Sequence, residues 1–117
     1  CFVSPYAYPY IQSHILIQTE QYDSFQVPYD CCTPPFSSGV QQAKVDTIRA
    51  AFLSSLAMVK SPNSVFSAAC YTHSLVENDQ FWTIGINGSN MQEVLGNWFF
   101  GRNGVSRAVD DCKGLNC

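Results

Sequence analysis

Short apolar runs alternate with polar, turn-forming segments along the 117-residue chain. Residues 14–19 (HILIQT) and 65–71 (VFSAACY) are brief and rich in apolar and β-branched side chains, which is typical of buried parallel strands. Residues 40–60 contain no Gly or Pro, and their apolar side chains recur at helical spacing. This spacing predicts a long amphipathic helix whose apolar face consists of Val45, Ile48, Ala51, Phe52, Leu56 and Val59.

The second half of the chain predicts one more helix. It begins near Asn90, and Glu93 stands three residues later, as in a capping box. The segment continues as MQEVLGNWFFG, and we expect it to bury Val94, Leu95, Trp98 and Phe99. Residues 30–39 (DCCTPPFSSG) are rich in turn-forming residues and predict a loop.

The predicted order is strand, loop, long helix, strand, loop, helix, which indicates an α/β fold. The length fits one small domain. Two strands alone do not make a stable sheet with helices packed on it. We therefore expect the sheet to be incomplete in this chain and to be completed by an upstream part of the same polypeptide or by a second chain.

Composition narrows the function classes. The net charge is −3 and the six Lys and Arg residues form no cluster, which argues against binding of nucleic acid. Charged residues make up 13% of the chain, below the roughly 25% typical of soluble domains. This predicts a surface that other polypeptide or glycan partly covers. No apolar run approaches the length of a membrane span.

Cysteine usage indicates an oxidising, secreted setting. The disulfide candidates are Cys1, Cys31, Cys32, Cys70, Cys112 and Cys117. No metal-binding spacing is present, so neither a metal nor a cofactor is predicted. Because bonds between adjacent cysteines are geometrically strained, we expect Cys31 and Cys32 to pair with different partners. The even count permits closed internal pairing without establishing it.

Two residues with catalytic chemistry follow the two predicted strands. Asp23 comes after the first strand and His73 after the second, where open α/β sheets place reactive groups. Their chain order is that of the Asp and His of an α/β-hydrolase triad, in which His accepts the nucleophile's proton and Asp orients it. The alternative is that Asp23 caps a turn and His73 is an ordinary loop histidine.

The chain resembles the pectin acetylesterase and Notum family in several motifs, in order. Residues 22–26 (YDSFQ) are similar to the family's Tyr-Asp-Ser-Trp-Gln, and residues 69–73 (ACYTH) to its Ser-Cys-Tyr-Ala-His. Residues 96–102 (GNWFFGR) are similar to Gly-Asp-Trp-Tyr-Phe-x-Arg, and the CKGLNC ending resembles the start of a cysteine-rich knot. The resemblance covers essentially the whole chain.

The resemblance implies that residues 1–117 are the C-terminal segment of one secreted α/β-hydrolase-like domain. Asp23 and His73 match the family's triad positions, and the nucleophilic Ser is expected upstream, outside this chain. The implied activity is a serine carboxylesterase that acts on an acetylated polysaccharide or, as Notum does, on a lipid-modified protein. Phe25, which replaces a Trp, and Gln26 are candidate substrate-binding residues.

Three further points complete the interpretation. Residues 104–108 (GVSRA) imitate a nucleophile elbow but follow a predicted helix rather than a strand, so Ser106 is not expected to be the nucleophile. Asn87 begins an N-glycosylation sequon, Asn87-Gly88-Ser89, in a polar loop.

A non-catalytic extracellular coat or filament subunit that reuses the fold is the alternative function. The substrate, the disulfide connectivity and the oligomeric state stay open.

Overall fold

The computed structural model describes residues 4–113 and residue 115. The helices are α1 (Ser4–Ala7), α2 (Gln26–Asp30), α3 (Gly39–Leu56), α4 (Gln80–Thr83) and α5 (Met91–Phe99), with 3-10 turns at Tyr8–Tyr10 and Leu75–Glu77. The strands are β1 (Leu16–Glu20), β2 (Ser64–Ala68), β3 (Gly85–Ile86), β4 (Ser89–Asn90) and β5 (Arg107–Val109). In this part of the chain, no helix combines the length and apolarity needed to cross a membrane.

A three-stranded parallel sheet in the order β1-β2-β5 forms the centre of the fold. Leu16 pairs with Ser64 and Glu20 with Ala68, so the two predicted strands are adjacent and in full register. All five residues of β2 are buried. The α/β fold class is confirmed, but β5 was not predicted, because its three residues lie in a glycine-rich tail and form no recognisable apolar run.

The long helix α3 is shorter at its C-terminal end than predicted. Ser38 and Gln41 form a capping box at its start, and the helix ends at Leu56 instead of Lys60. Within α3 only Val45 and Leu56 are buried. Ala51 is exposed, so the predicted apolar face is only partly covered in the described part of the chain. Val59 is buried, but from the turn beyond the helix.

A buried glutamine joins the carboxyl ends of the strands. The Gln21 side chain donates through Nε2 to the carbonyl oxygens of Ser67 (3.2 Å) and Asp110 (2.7 Å). Its Oε1 accepts from Arg49 Nε at 2.7 Å, and Arg49 also donates to the Cys112 carbonyl at 2.7 Å. Because Arg49 lies on α3, this network fixes the helix against the edge of the sheet where β1, β2 and β5 end.

Helix α5 begins as predicted. The Asn90 side chain accepts from Glu93 N at 2.9 Å, and Glu93 accepts from Asn90 N at 3.1 Å, which completes the capping box. Val94 is buried, whereas Phe99, which was expected in the core, is 69% exposed. Five residues of helix separate the two, a rotation of about 140° from the buried side, so Phe99 cannot share the face of Val94.

The expected pairing of Cys31 and Cys32 with separate partners was wrong, and so was the expected disulfide at Cys112. Cys31 and Cys32 are bonded to each other rather than to separate partners. The tight turn after α2 brings both Sγ atoms within 4.0 Å of the Gln41 carbonyl oxygen, on the same side of the backbone. Cys112 is a free, exposed thiol, and its backbone donates to Asp110 and accepts from Arg49. Cys70 is disulfide-bonded, and Cys1 and Cys117 lie outside the described residues.

The different burial of two phenylalanines predicts different losses of stability when each is replaced. Phe66 is fully buried in the central strand, whereas Phe99 is largely exposed. Phe66→Ala should lower the free energy of unfolding of the intact protein by about 3–5 kcal/mol, since it leaves a cavity. The matched control, Phe99→Ala, should change it by about 0.5 kcal/mol or less. Urea denaturation measures both values, and equal effects would contradict this assignment of the core.

Candidate active site

The adjacent, parallel strands β1 and β2 bring two reactive side chains together. Asp23 lies three residues after β1, and His73 lies five residues after β2. Both loops leave the carboxyl edge of the sheet, and His73 Nδ1 lies 2.8 Å from Asp23 Oδ2. It is the one ion pair found among the described residues. The structure therefore brings the two predicted residues together, and their catalytic role stays a prediction.

Asp23 is held by the backbone that follows it. Its Oδ1 accepts from the backbone N–H groups of Phe25 (2.7 Å) and Gln26 (2.9 Å), at the start of α2. Asp23 thus does cap a turn, and it also contacts His73 through its other oxygen. One carboxylate oxygen fixes the orientation of the group, which leaves Oδ2 directed at the imidazole.

The loop carrying His73 is attached to the Asp23 segment. The backbone N–H of Ser24 donates to the Thr72 carbonyl at 2.9 Å, immediately before His73. Immediately after it, Ser74 adopts the left-handed conformation with φ 56°. This conformation is uncommon for a residue other than Gly, Asn or Asp. The chain then returns to the core at Leu75, which is fully buried.

Asp23 raises the pKa of His73 above its ordinary value of 6.5. The largest cause is the hydrogen bond that His73 Nδ1 donates to the Asp23 carboxylate, followed by the negative charge of Asp23, with smaller contributions from Glu20 and Glu77. In the neutral ring, Nδ1 carries the proton that it donates to the carboxylate, since a carboxylate can only accept. Nε2 is then a proton acceptor on a side chain that is 51% exposed.

The two candidate substrate-binding residues behave differently. The ring centroid of Phe25 lies 5.5 Å from that of His73, and Phe25 is 69% exposed, so it forms a wall beside the imidazole. Gln26 instead directs its side-chain nitrogen to Asp30 Oδ2 at 3.0 Å. Phe25 is therefore placed to touch a bound molecule, whereas the side chain of Gln26 is occupied within α2.

The remaining predicted positions lie away from this pair. Asn87 (φ 52°) and Gly88 (φ 83°) form the two-residue turn between β3 and β4, and Asn87 is exposed there. An Asn-Gly pair suits such a turn because both residues tolerate positive φ. Ser106 precedes β5, at the amino edge of the sheet, opposite His73. In the part of the chain that the structure describes, no serine hydroxyl hydrogen-bonds His73.

One group of side chains has metal-ligand chemistry. Asp110, Asp111 and Cys112 place their ligand atoms within 4.8 Å of one another. The hydrogen bond to Asp110, followed by its negative charge, raises the pKa of the Cys112 thiol, which opposes the thiolate form that binds metals. Asp110 is also occupied by the backbone N–H groups of Ala69 and Cys112. These residues are therefore better explained as a hydrogen-bonded turn.

Sequence reasoning missed Glu20, the last residue of β1. It is 5% exposed, and its carboxylate accepts from the backbone N–H of Leu75 at 2.9 Å, two residues after His73. An acidic residue at the end of an otherwise apolar run was the available signal.

The Asp23–His73 contact predicts a measurable titration. In Asp23→Asn, the pKa of His73 should fall toward 6.5, because the imidazolium loses its hydrogen bond and its neighbouring charge. In the unsubstituted protein the pair should stabilise the fold at pH values below about 6.5, and this contribution should be lost as the pH rises through the raised pKa. NMR titration of the His73 ring protons in the two proteins measures this. An unchanged pKa would contradict the contact.

Comparison with known proteins supplies the context for this geometry. The profile of the family described as Pectinacetylesterase matches residues 1–116. No curated protein matches the chain. The family match spans both loops of the site and nearly the whole sequence, so the chain belongs to the pectinacetylesterase family.

Proposed function

We propose that this chain supplies the Asp and His of a serine carboxylesterase of the α/β-hydrolase type. The observation that carries the proposal is the 2.8 Å contact between His73 Nδ1 and Asp23 Oδ2 on two neighbouring post-strand loops. Membership of an esterase family supports the same reaction class. The nucleophilic serine is assigned to polypeptide outside residues 1–117.

In the proposed mechanism, the serine Oγ attacks the carbonyl carbon of an ester, and His73 Nε2 accepts the hydroxyl proton. Asp23 holds the ring with Nδ1 protonated and stabilises the imidazolium that forms. His73 then returns the proton to the leaving alcohol as the tetrahedral intermediate collapses to an acyl-enzyme. In the second half, His73 accepts a proton from water as the water attacks the acyl group, and it then donates this proton to the serine Oγ as the acid is released.

Additional polypeptide is proposed to complete the fold. Among the described residues β1 pairs with β2 on one side and with no strand on the other. The partly covered face of α3 also needs a partner surface, since apolar side chains there are only half-buried. An upstream part of the same polypeptide, or a second chain, would pair with the free edge of β1. It would also place the serine at the carboxyl edge of the sheet, next to His73.

For the substrate we propose an acetyl ester on an extracellular polysaccharide. Phe25 flanks His73, and Tyr29, one helical turn further along α2, is 87% exposed. Exposed aromatic faces at this spacing offer an apolar surface to sugar rings. A secreted location, with a glycan on Asn87 in the exposed β3–β4 turn, fits such a substrate. A lipid-modified protein is the other substrate class for the same reaction.

A non-catalytic structural protein is the competing function. The same Asp–His geometry would persist in a scaffold that had lost its nucleophile, since a fold does not fix a function. Hydrolysis by the intact protein distinguishes the two, because a scaffold would release no acetate.

His73→Ala should abolish ester hydrolysis. With p-nitrophenyl acetate and the intact protein, we expect kcat to fall by about 10³-fold or more, since removal of a triad member typically has an effect of this size. His14→Ala is the matched control, because His14 is exposed at the opposite edge of the sheet, and it should retain full activity. Equal activity of the His73→Ala and unsubstituted proteins would disprove the assignment, and inactivity of the unsubstituted protein would favour the scaffold.

A further inference from the structure

The buried carboxylate of Glu20 contacts the loop that carries His73. Glu20 ends β1 and is only 5% exposed. Its Oε1 accepts two hydrogen bonds, from the backbone N–H of Leu75 at 2.9 Å and from Gln18 Nε2 at 2.8 Å. A single oxygen thus links the strand that precedes Asp23 to the backbone that follows His73.

This carboxylate has no compensating cation in the described part of the chain. Among the described residues, no Lys, Arg or His nitrogen lies within 4.0 Å of the Glu20 carboxylate. The ion pair found among them joins His73 and Asp23. Burial of an unpaired carboxylate is unfavourable, and a neutral residue would avoid that cost. The hydrogen bonds that Oε1 accepts from Leu75 N and Gln18 Nε2 offset part of this cost, and the acceptor oxygen is what the buried side chain contributes.

The hydrogen bond to Leu75 acts on the conformation of His73. On one side of His73, the Thr72 carbonyl accepts from Ser24 N at 2.9 Å. On the other side, Leu75 N is fixed by Glu20, and Ser74 between them holds a left-handed φ of 56°. Both peptide segments that flank His73 are thus fastened to the strand and loop that carry Asp23. Without the Glu20 contact, the segment after His73 would keep the buried Leu75 side chain and the hydrogen bonds to the Ser74 carbonyl, but it would have no hydrogen bond to β1.

We propose that Glu20 is a positioning residue, which holds the histidine loop so that the His73 imidazole meets the Asp23 carboxylate. The proposal rests on the function proposed above for its kinetic consequences, but its structural part concerns the His73–Asp23 contact alone. Glu20 acts through the backbone of Leu75 and does not touch the reacting atoms.

Two conservative substitutions distinguish the effect of the length of the Glu20 side chain from the effect of its charge. Glu20→Gln keeps an acceptor oxygen in the place of Oε1, and its amide nitrogen takes the place of Oε2, which accepts no hydrogen bond among the described residues. Glu20→Asp keeps the negative charge but withdraws the acceptor by about 1.5 Å, beyond hydrogen-bond distance of Leu75 N. Positioning depends on the length of the side chain. The Gln variant should therefore keep the His73–Asp23 contact, and the Asp variant should loosen it.

The first readout is the pKa of His73, measured by NMR titration of the intact protein. Asp23, Glu20 and Glu77 are the charged groups that raise this pKa, and the hydrogen bond that His73 donates to Asp23 is the largest cause. In Glu20→Asp, the pKa should fall toward 6.5 as the Asp23 contact loosens. In Glu20→Gln, it should fall only slightly, through loss of the small contribution of the Glu20 charge, because the Asp23 contact is kept. A larger fall in the Gln variant than in the Asp variant would show that Glu20 acts by charge and would overturn the proposal.

The second readout is ester hydrolysis. In Glu20→Asp, kcat should fall by about 10- to 100-fold, the range expected for a misplaced catalytic group, while KM changes little. Glu20→Gln should retain most of the kcat of the unsubstituted protein. Gln18→Ala is the matched control, since it removes the other hydrogen bond to the same oxygen and leaves the histidine loop untouched. Equal losses in Gln18→Ala and Glu20→Asp would indicate general destabilisation and contradict positioning.

The two readouts distinguish failure of this inference from failure of the proposed function. If the intact protein lacks esterase activity but the His73 pKa responds as expected, Glu20 still positions the loop and the proposed function is wrong. If the esterase is active and neither readout responds to Glu20→Asp, the positioning role is wrong and the proposed function stands.

Discussion

Parallel pairing of β1 with β2 is the constraint on which the rest of the structure depends. Five consecutive residue pairs, from Leu16 with Ser64 to Glu20 with Ala68, fix the two strands in register. Because the strands run the same way, both post-strand loops leave one edge of the sheet. Gln21 holds that edge by hydrogen bonds to the carbonyl oxygens of Ser67 and Asp110. A slip of one residue would separate Asp23 from His73 and would turn the apolar side chains of β1 to the opposite face.

Much of this arrangement could be predicted from the sequence, because it depends on local pattern. The apolar runs identified β1 and β2, and Asn90 with Glu93 identified the start of α5. The proximity of Asp23 and His73 followed from their positions after neighbouring strands. The features that were missed depend on distant contacts. The short strand β5 forms only because β2 offers it an edge, and Glu20 is recognisable only once Leu75 is seen beside it.

Two of the errors in the sequence interpretation have simple physical causes. General strain arguments disfavoured a bond between Cys31 and Cys32, but the turn between α2 and α3 places both sulfur atoms on one side. Phe99 was assigned to the core because it is aromatic, although its helical position relative to Val94 turns it outward. In both cases the local backbone decided the outcome, and residue type alone was a poor guide.

Exposed apolar surface is the feature that links the fold to the proposed chemistry. The central strand is fully buried, yet only two residues of α3 are buried. Large apolar side chains are exposed on several elements: Phe25, Tyr29, Trp82, Phe99 and Phe100. We propose that other polypeptide packs against these surfaces. The same polypeptide is proposed to hold the serine that would complete the Asp23–His73 pair, so one addition would account for both observations.

The most direct test is to label the intact protein with a serine-reactive fluorophosphonate and to determine the structure of the adduct. We expect a single labelled serine outside residues 1–117, with its Oγ next to His73 Nε2. A label on a serine of this chain, such as Ser106, or a labelled serine remote from His73, would contradict it.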